Sequence, residues 1–199
     1  MNALILNAKN VVFDVGQVLL SFLPHEFLPK MFPKDIADQL MPPALMGGDL
    51  WLRMDRGDFT AEVAARLITE KSGHPDMMKY ELEFMRNFAK LMTPLPPALM
   101  IPELKKMDKK LYVISNYGIE TFAATEKQFP EIFSQFDGMI ISAREKLIKP
   151  DPRIYQLLLS RYNLKAEECV FIDDLAANVQ GAIDAGFQGI HYTGPEAIE

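Results

Sequence analysis

The stretch NVVFDVGQVLL, residues 10–20, decides the fold. Its VVF start is continuously apolar rather than alternating, as in a strand buried on both faces of a parallel sheet. The run then ends on a carboxylate, Asp14, and turns through Gly16. A buried strand needs no charge at its end, so Asp14 is a candidate for chemistry. Three more runs share this character: LYVISN (111–116), GMIIS (138–142) and CVFIDD (169–174), with a weaker fifth, QGIHYT, at 188–193. Helical patterns lie between them. One covers residues 119–128; DPRIYQLLLSRYN sets Ile154, Leu157, Leu158 and Tyr162 on one face, with Pro152 in the first turn. LAANVQGAIDAG stops at Gly186, suited to the position just past a helix end. Strand alternating with helix predicts an α/β fold, a Rossmann-like doubly wound parallel sheet with right-handed crossovers.

Residues 18–90 break this rhythm. KDIADQLM, TAEVAARLITEKS and PDMMKYELEFMRNFAKLM are helical in composition, and Thr60 is placed to cap one helix. Pro94, Pro96 and Pro97 mark the return to the main fold. The expected organisation is a core of residues 1–17 and 91–199 with an inserted helical cap of residues 18–90. Met77, Met78, Met85 and Met92 are expected to pack between helices, the alternative being an adaptable lid over a ligand. Trp51 is read as cap core or as a wall against substrate, and Gly47 and Gly48 as a hinge.

The 199 residues are 49% hydrophobic and 24% charged, the mixture of a globular protein with a proper core. The net charge of −6 disfavours general binding to nucleic acid or to an anionic membrane. Cys169 is the single cysteine, so an intramolecular disulfide and a multi-cysteine metal site are both excluded. It is expected in the core, and the setting is expected to be cytoplasmic. No apolar stretch reaches the ~18 residues of a membrane span, and the N-terminal segment lacks the pattern of a signal peptide.

Ligands of open α/β sheets bind beyond the carboxyl ends of the strands. Asp14, Ser115 with Asn116, and Asp173 with Asp174 end three runs, and Lys149 lies in the loop after another. Together they propose one pocket. Clustered carboxylates repel unless a cation neutralises them, and hard oxygen ligands suit Mg²⁺. A phosphate can bridge such a metal to Lys149, the Ser115 hydroxyl and backbone N–H groups. Asp14 can then attack phosphorus in line, giving an aspartyl-phosphate that water cleaves. The opposing reading of the acidic pair is a helix N-cap.

VVFDVGQVL, VISN, IKPDPRIY and VFIDDLAANVQGA, in that order, resemble the four motifs of the haloacid dehalogenase-like (HAD) hydrolases. With the insertion counted, the resemblance covers nearly the whole chain, and the insertion resembles the family's helical cap of the first type. It implies Asp14 as nucleophile, Lys149 in catalysis, and Ser115, Asn116 and Lys149 as phosphate or substrate ligands. It also implies Mg²⁺ held by Asp14, the Gly16 carbonyl and Asp174, with Asp173 binding directly or through water and Asn178 orienting the acidic loop. The substrate implied is a small phosphorylated metabolite.

At Gly16 the sequence departs from the family. Most of its phosphatases carry a second aspartate there, which protonates the leaving oxygen. Losing a general acid costs about 10²–10⁴ in rate. Three readings stay open: a phosphatase that works without that acid or recruits another, in a FDxGxV form resembling bacterial sugar-1-phosphate phosphatases; a 2-haloacid dehalogenase; or a catalytically weak phosphate-binding or regulatory protein. Among the remaining candidates, Lys146 is a rival to Lys149, Arg53 and Arg56 are possible partners for substrate charge, and His25 is a possible stand-in acid. His74 is expected to be exposed, and His191 sits in the last strand.

Overall fold

A computed structural model describes residues 1–40, 48–73 and 75–199; the expectations for Gly47 and His74 fall outside them. Five parallel strands, β1 (Asn10–Phe13), β2 (Lys110–Ser115), β3 (Gly138–Ile141), β4 (Cys169–Asp173) and β5 (Gln188–His191), form one sheet in the order β3-β2-β1-β4-β5. This is the expected Rossmann-like α/β fold. Alternation along each run sorts its residues between two apolar clusters. Val11, Phe13, Leu111, Val113, Val170 and Ile172 join one face. Val12, Tyr112, Ile114, Cys169 and Phe171 join the other, against Ile154, Tyr155 and Leu158 of the helix Pro152–Tyr162. Both faces are covered, which is why the runs are apolar throughout.

Two local details differ from the expected boundaries. β1 stops at Phe13, because the Leu19 and Leu20 amides turn back onto the Val15 carbonyl. The buried face of Pro152–Tyr162 centres on Ile154, Tyr155 and Leu158, with Leu157 and Tyr162 at its margin. Tyr155 is fully buried because its hydroxyl donates to the Asn178 carbonyl at 2.7 Å. Gly186 serves as expected at the end of the helix Ala176–Asp184. Its φ is +94°, and the next amide, Phe187, bonds back to Ala182.

The inserted segment is helical where it is described: Pro24–Met31, Lys34–Leu40, Asp49–Asp55, Ala61–Ser72 and Met78–Asn87. Thr60 caps Ala61–Ser72 by accepting from the Val63 amide. The two crossings into the insertion run side by side: Ser21 donates its amide to the Thr93 carbonyl, and Leu95 donates to Leu19. Phe27, Leu28, Phe84 and Phe88 share the apolar cluster of the sheet face, so insertion and sheet form one continuous core. Met77, Met85 and Met92 are buried, in keeping with packing. Among the described residues no helix is long and apolar enough to cross a membrane.

One buried group works against this packing. Glu81, 2% exposed, has no hydrogen-bond partner for Oε2, and burial pushes its carboxyl up to about 8. Between the ordinary glutamate value and about 8 the folded chain binds this proton more tightly than the unfolded chain does. Stability contributed here therefore falls as pH rises through that window. Glu81→Gln is expected to be more stable than wild type by roughly 1–3 kcal/mol at pH 8 and equal to it near pH 4. Urea unfolding across that range is the measurement, and a difference that does not change with pH contradicts the assignment.

Candidate active site

The registers of β1 against β2 and β4 bring the strand tips together. Phe13 pairs with Val113 and with Ile172, so Asp14 emerges beside Asp173 and next to Ser115. The Asp14 amide bonds to the Ile172 carbonyl at 2.9 Å, which fixes the backbone under the carboxylate. Lys149 enters this group from the loop before Pro152–Tyr162. Its Nζ lies 2.8 Å from Asp14 Oδ1 and 2.6 Å from Asp173 Oδ2, with its side chain wholly buried. Burial opposes the charge on Lys149, but Asp14 and Asp173 outweigh it and hold the ammonium above its ordinary value.

The backbone of Lys149 is pinned by Asn116, which accepts from its amide at 2.8 Å and donates to its carbonyl at 3.1 Å. Asn178, expected to orient the acidic loop, donates to both oxygens of Asp173 at 3.0 and 3.2 Å. Asp173 Oδ1 also accepts the Leu175 amide, a turn leading into the helix Ala176–Asp184; the N-cap itself is Leu175, so the helix-capping reading of the acidic pair does not hold. The Asp173 carboxylate thus spends both oxygens on Leu175, Asn178 and Lys149. Asp174 is less enclosed. Burial, then Asp14 and Asp173, push its carboxyl up to about 6.

Carboxylate oxygens of Asp14, Asp173 and Asp174 lie within 4.8 Å of one another. Three carboxylates face one ammonium, leaving an excess of two negative charges if all ionise. Asp14 Oδ1 is buried, with the Lys149 ammonium at 2.8 Å as its ion-pair partner and no further hydrogen bond among the described residues. Burial pushes the Asp14 carboxyl above its ordinary value, Asp173 adds to the rise, and Lys149 and Ser115 oppose it. An all-oxygen set with uncompensated charge fits a hard divalent cation such as Mg²⁺.

The carboxylate of Asp14 opens into a cavity of about 140 Å³. Asp14, Gly16, Ser115 and Asn116 line it from the strand tips; Phe22, Trp51, Phe88, Met92 and Tyr117 form apolar walls. Trp51 is therefore a wall while also packing with the core, 6.3 Å from the Phe22 ring. Phe22, Phe88, Tyr117 and one charged lining residue were not singled out in the sequence. Asp55, the last residue of the helix Asp49–Asp55, is 7% exposed and faces the same cavity. The available signal was a carboxylate four residues after Trp51, on the apolar side of a helix.

The other candidates are drawn elsewhere. Lys146 bonds to the Gly57 carbonyl, away from the Asp14 group. Arg53 and Arg56 pair with Asp58. His25 is exposed in Pro24–Met31, and His191 bonds to the Asp174 carbonyl at 2.9 Å. Cys169 is buried in the core, where burial pushes its thiol up to about 11.

The parallel sheet thus gathers its acidic groups at the carboxyl ends of the strands, where ligands of such sheets bind. A model of the haloacid dehalogenase-like hydrolases matches residues 8–186, and the chain belongs to that family. It is 25% identical to sesquiterpene phosphatase astK of Aspergillus oryzae over 185 residues, covering 93% of this chain and 90% of that protein. It is 29% identical to acyl-CoA dehydrogenase family member 10 of Mus musculus over 197 residues, 94% of this chain but only 18% of the mouse protein. Its fold resembles that of the HAD family enzyme bt-2542 from Bacteroides thetaiotaomicron in its magnesium complex, with a TM-score of 0.71, 19% identity and 95% of each chain covered.

Proposed function

We propose that the chain is a Mg²⁺-dependent phosphomonoesterase acting through an aspartyl-phosphate on Asp14. The observation that carries this reading is the Asp14 carboxylate itself. It stands at a strand tip with Lys149 Nζ 2.8 Å from its buried Oδ1 and a cavity in front. Asp14, Asp174 and the Gly16 carbonyl would hold the metal, with Asp173 at its margin; bound there, Mg²⁺ supplies charge neutralisation for the phosphoryl group. Lys149 and Ser115 bind the phosphoryl oxygens, and Asn116 positions Lys149. Placement and charge supply most of the catalysis.

The substrate is a small phosphorylated metabolite. The walls of Phe22, Trp51, Phe88, Met92 and Tyr117 favour an apolar or aromatic alcohol over a sugar, whose hydroxyls would meet few partners there. The sesquiterpene phosphatase relative supports the same preference. The 2-haloacid dehalogenase reading is disfavoured by the carboxylate excess, because halide displacement needs no cation. The helical insertion acts as the cap, and the buried single thiol suits a reducing cytoplasmic setting.

A screen of phosphate esters with and without Mg²⁺ tests this reading, with hexose 1-phosphates set against aryl and alkyl phosphates. Turnover that requires Mg²⁺ and favours the apolar esters is expected. A well-folded protein that releases phosphate from none of them refutes it.

A further inference from the structure

Resting on the phosphatase reading, we propose that Asp55 supplies the proton transfer that residue 16 cannot: its carboxyl protonates the leaving oxygen and then takes a proton from the attacking water. A Cβ built on Gly16 would meet nothing within 4 Å beyond its chain neighbours, so the space at position 16 is open to the cavity. Asp55 lines the same cavity from the insertion.

Its placement is built. The Trp51 indole, one turn earlier on the helix, and the Gly118 backbone N–H lie close enough to its carboxyl to favour its charged form. Its own carbonyl accepts from Ser142 Oγ at 2.5 Å, and Lys146 holds the Gly57 carbonyl two residues on. Gly57, with φ +77°, lies so close to the core that a Cβ there would come within 2.4 Å of the Ala143 carbonyl oxygen. The end of this helix is therefore docked on the segment after β3, fixing Asp55 relative to the strand tips.

No cation pairs with Asp55 among the described residues. Arg53 and Arg56, on or beside its own helix, turn to Asp58. The groups facing it are Asp14 from β1, Lys149 from its loop and the Tyr117 phenol after β2. Burial, with a smaller push from Asp14 and against the pull of the Gly118 amide, raises its carboxyl to about 7. It can therefore both give and take a proton near neutrality.

The steps balance. Asp14 forms a bond to phosphorus as the ester P–O bond breaks, and the departing alkoxide takes the Asp55 proton to leave as the alcohol. Water then gives a proton to the Asp55 carboxylate and attacks the acyl phosphate. The P–O bond to Asp14 breaks, releasing hydrogen phosphate and restoring both carboxyls.

The test compares hexyl phosphate, whose leaving group needs a proton, with p-nitrophenyl phosphate, whose leaving group does not. Asp55→Asn is expected to lose about 10²–10⁴ in kcat/KM on hexyl phosphate, the parameter that reads formation of the aspartyl-phosphate, and far less on p-nitrophenyl phosphate, while kcat, which includes hydrolysis of the shared intermediate, falls for both. Gly16→Asp in the Asp55→Asn background is expected to recover the hexyl ester selectively. A variant equal to wild type, or one whose kcat/KM falls alike on both esters without rescue, overturns the proposal while leaving the phosphatase reading intact. A wild type that cleaves neither ester overturns both. Wild type alone gives an independent readout: kcat/KM for hexyl phosphate should fall as pH rises through about 7, with no such fall for p-nitrophenyl phosphate. Identical profiles for the two esters count against Asp55 even if Asp55→Asn does not fold.

Discussion

Asp14→Asn is expected to lower phosphate-ester turnover by at least about 10⁴-fold while the protein remains folded. The amide matches the carboxylate in size but cannot attack phosphorus. The surroundings of Asp14 also predict the effect on stability. Burial disfavours its charge, and Asp173 adds repulsion. Removing that charge leaves Lys149 still paired with Asp173 at 2.6 Å. Without Mg²⁺ the variant should therefore be as stable as wild type or slightly more so, the pattern of a site that sacrifices stability for reactivity. Mg²⁺ should raise the Tm of wild type more than that of the variant. Full activity in Asp14→Asn would remove Asp14 as nucleophile.

Lys149→Ala is expected to have the largest effect on stability, a loss of roughly 3–5 kcal/mol, because it leaves two buried carboxylates without their common partner. That is a large part of an ordinary domain's total stability. Mg²⁺ should recover part of the deficit at neutral pH. Turnover should fall as well, since among the described residues no other cation stands beside Asp14; Lys146 is engaged at Gly57. Urea unfolding with and without Mg²⁺ measures this, and a loss under 0.5 kcal/mol would mean that the Asp14–Lys149–Asp173 group does not exist as described.

These residues differ in how far the sequence alone exposed them. Asp14, Ser115 and Asp173 were legible because an apolar run buried on both faces has only its ends available for polar groups. Parallel pairing then gathers those ends at one edge. Lys149 and Lys146 were not separable, being three residues apart in one loop. The structure divides them: Asn116 holds the Lys149 backbone so that its side chain enters the site, while Lys146 adopts a left-handed backbone and turns outward.

The sequence by itself determined the parallel sheet, the helical insertion and the acidic strand tips, because each follows from local period, composition and the chain's return to one sheet edge. Tertiary structure alone decided that Asp55 and Asp14 line one cavity, that Trp51 walls it, and that Glu81 Oε2 is buried without a hydrogen-bond partner among the described residues. The reason is physical. Helical periodicity says which residues share a face, but the angle at which an inserted helix docks says what that face meets. Here that docking rests on contacts between Ser142 and Asp55, Lys146 and Gly57, and Gly57 and Ala143, which no local pattern encodes.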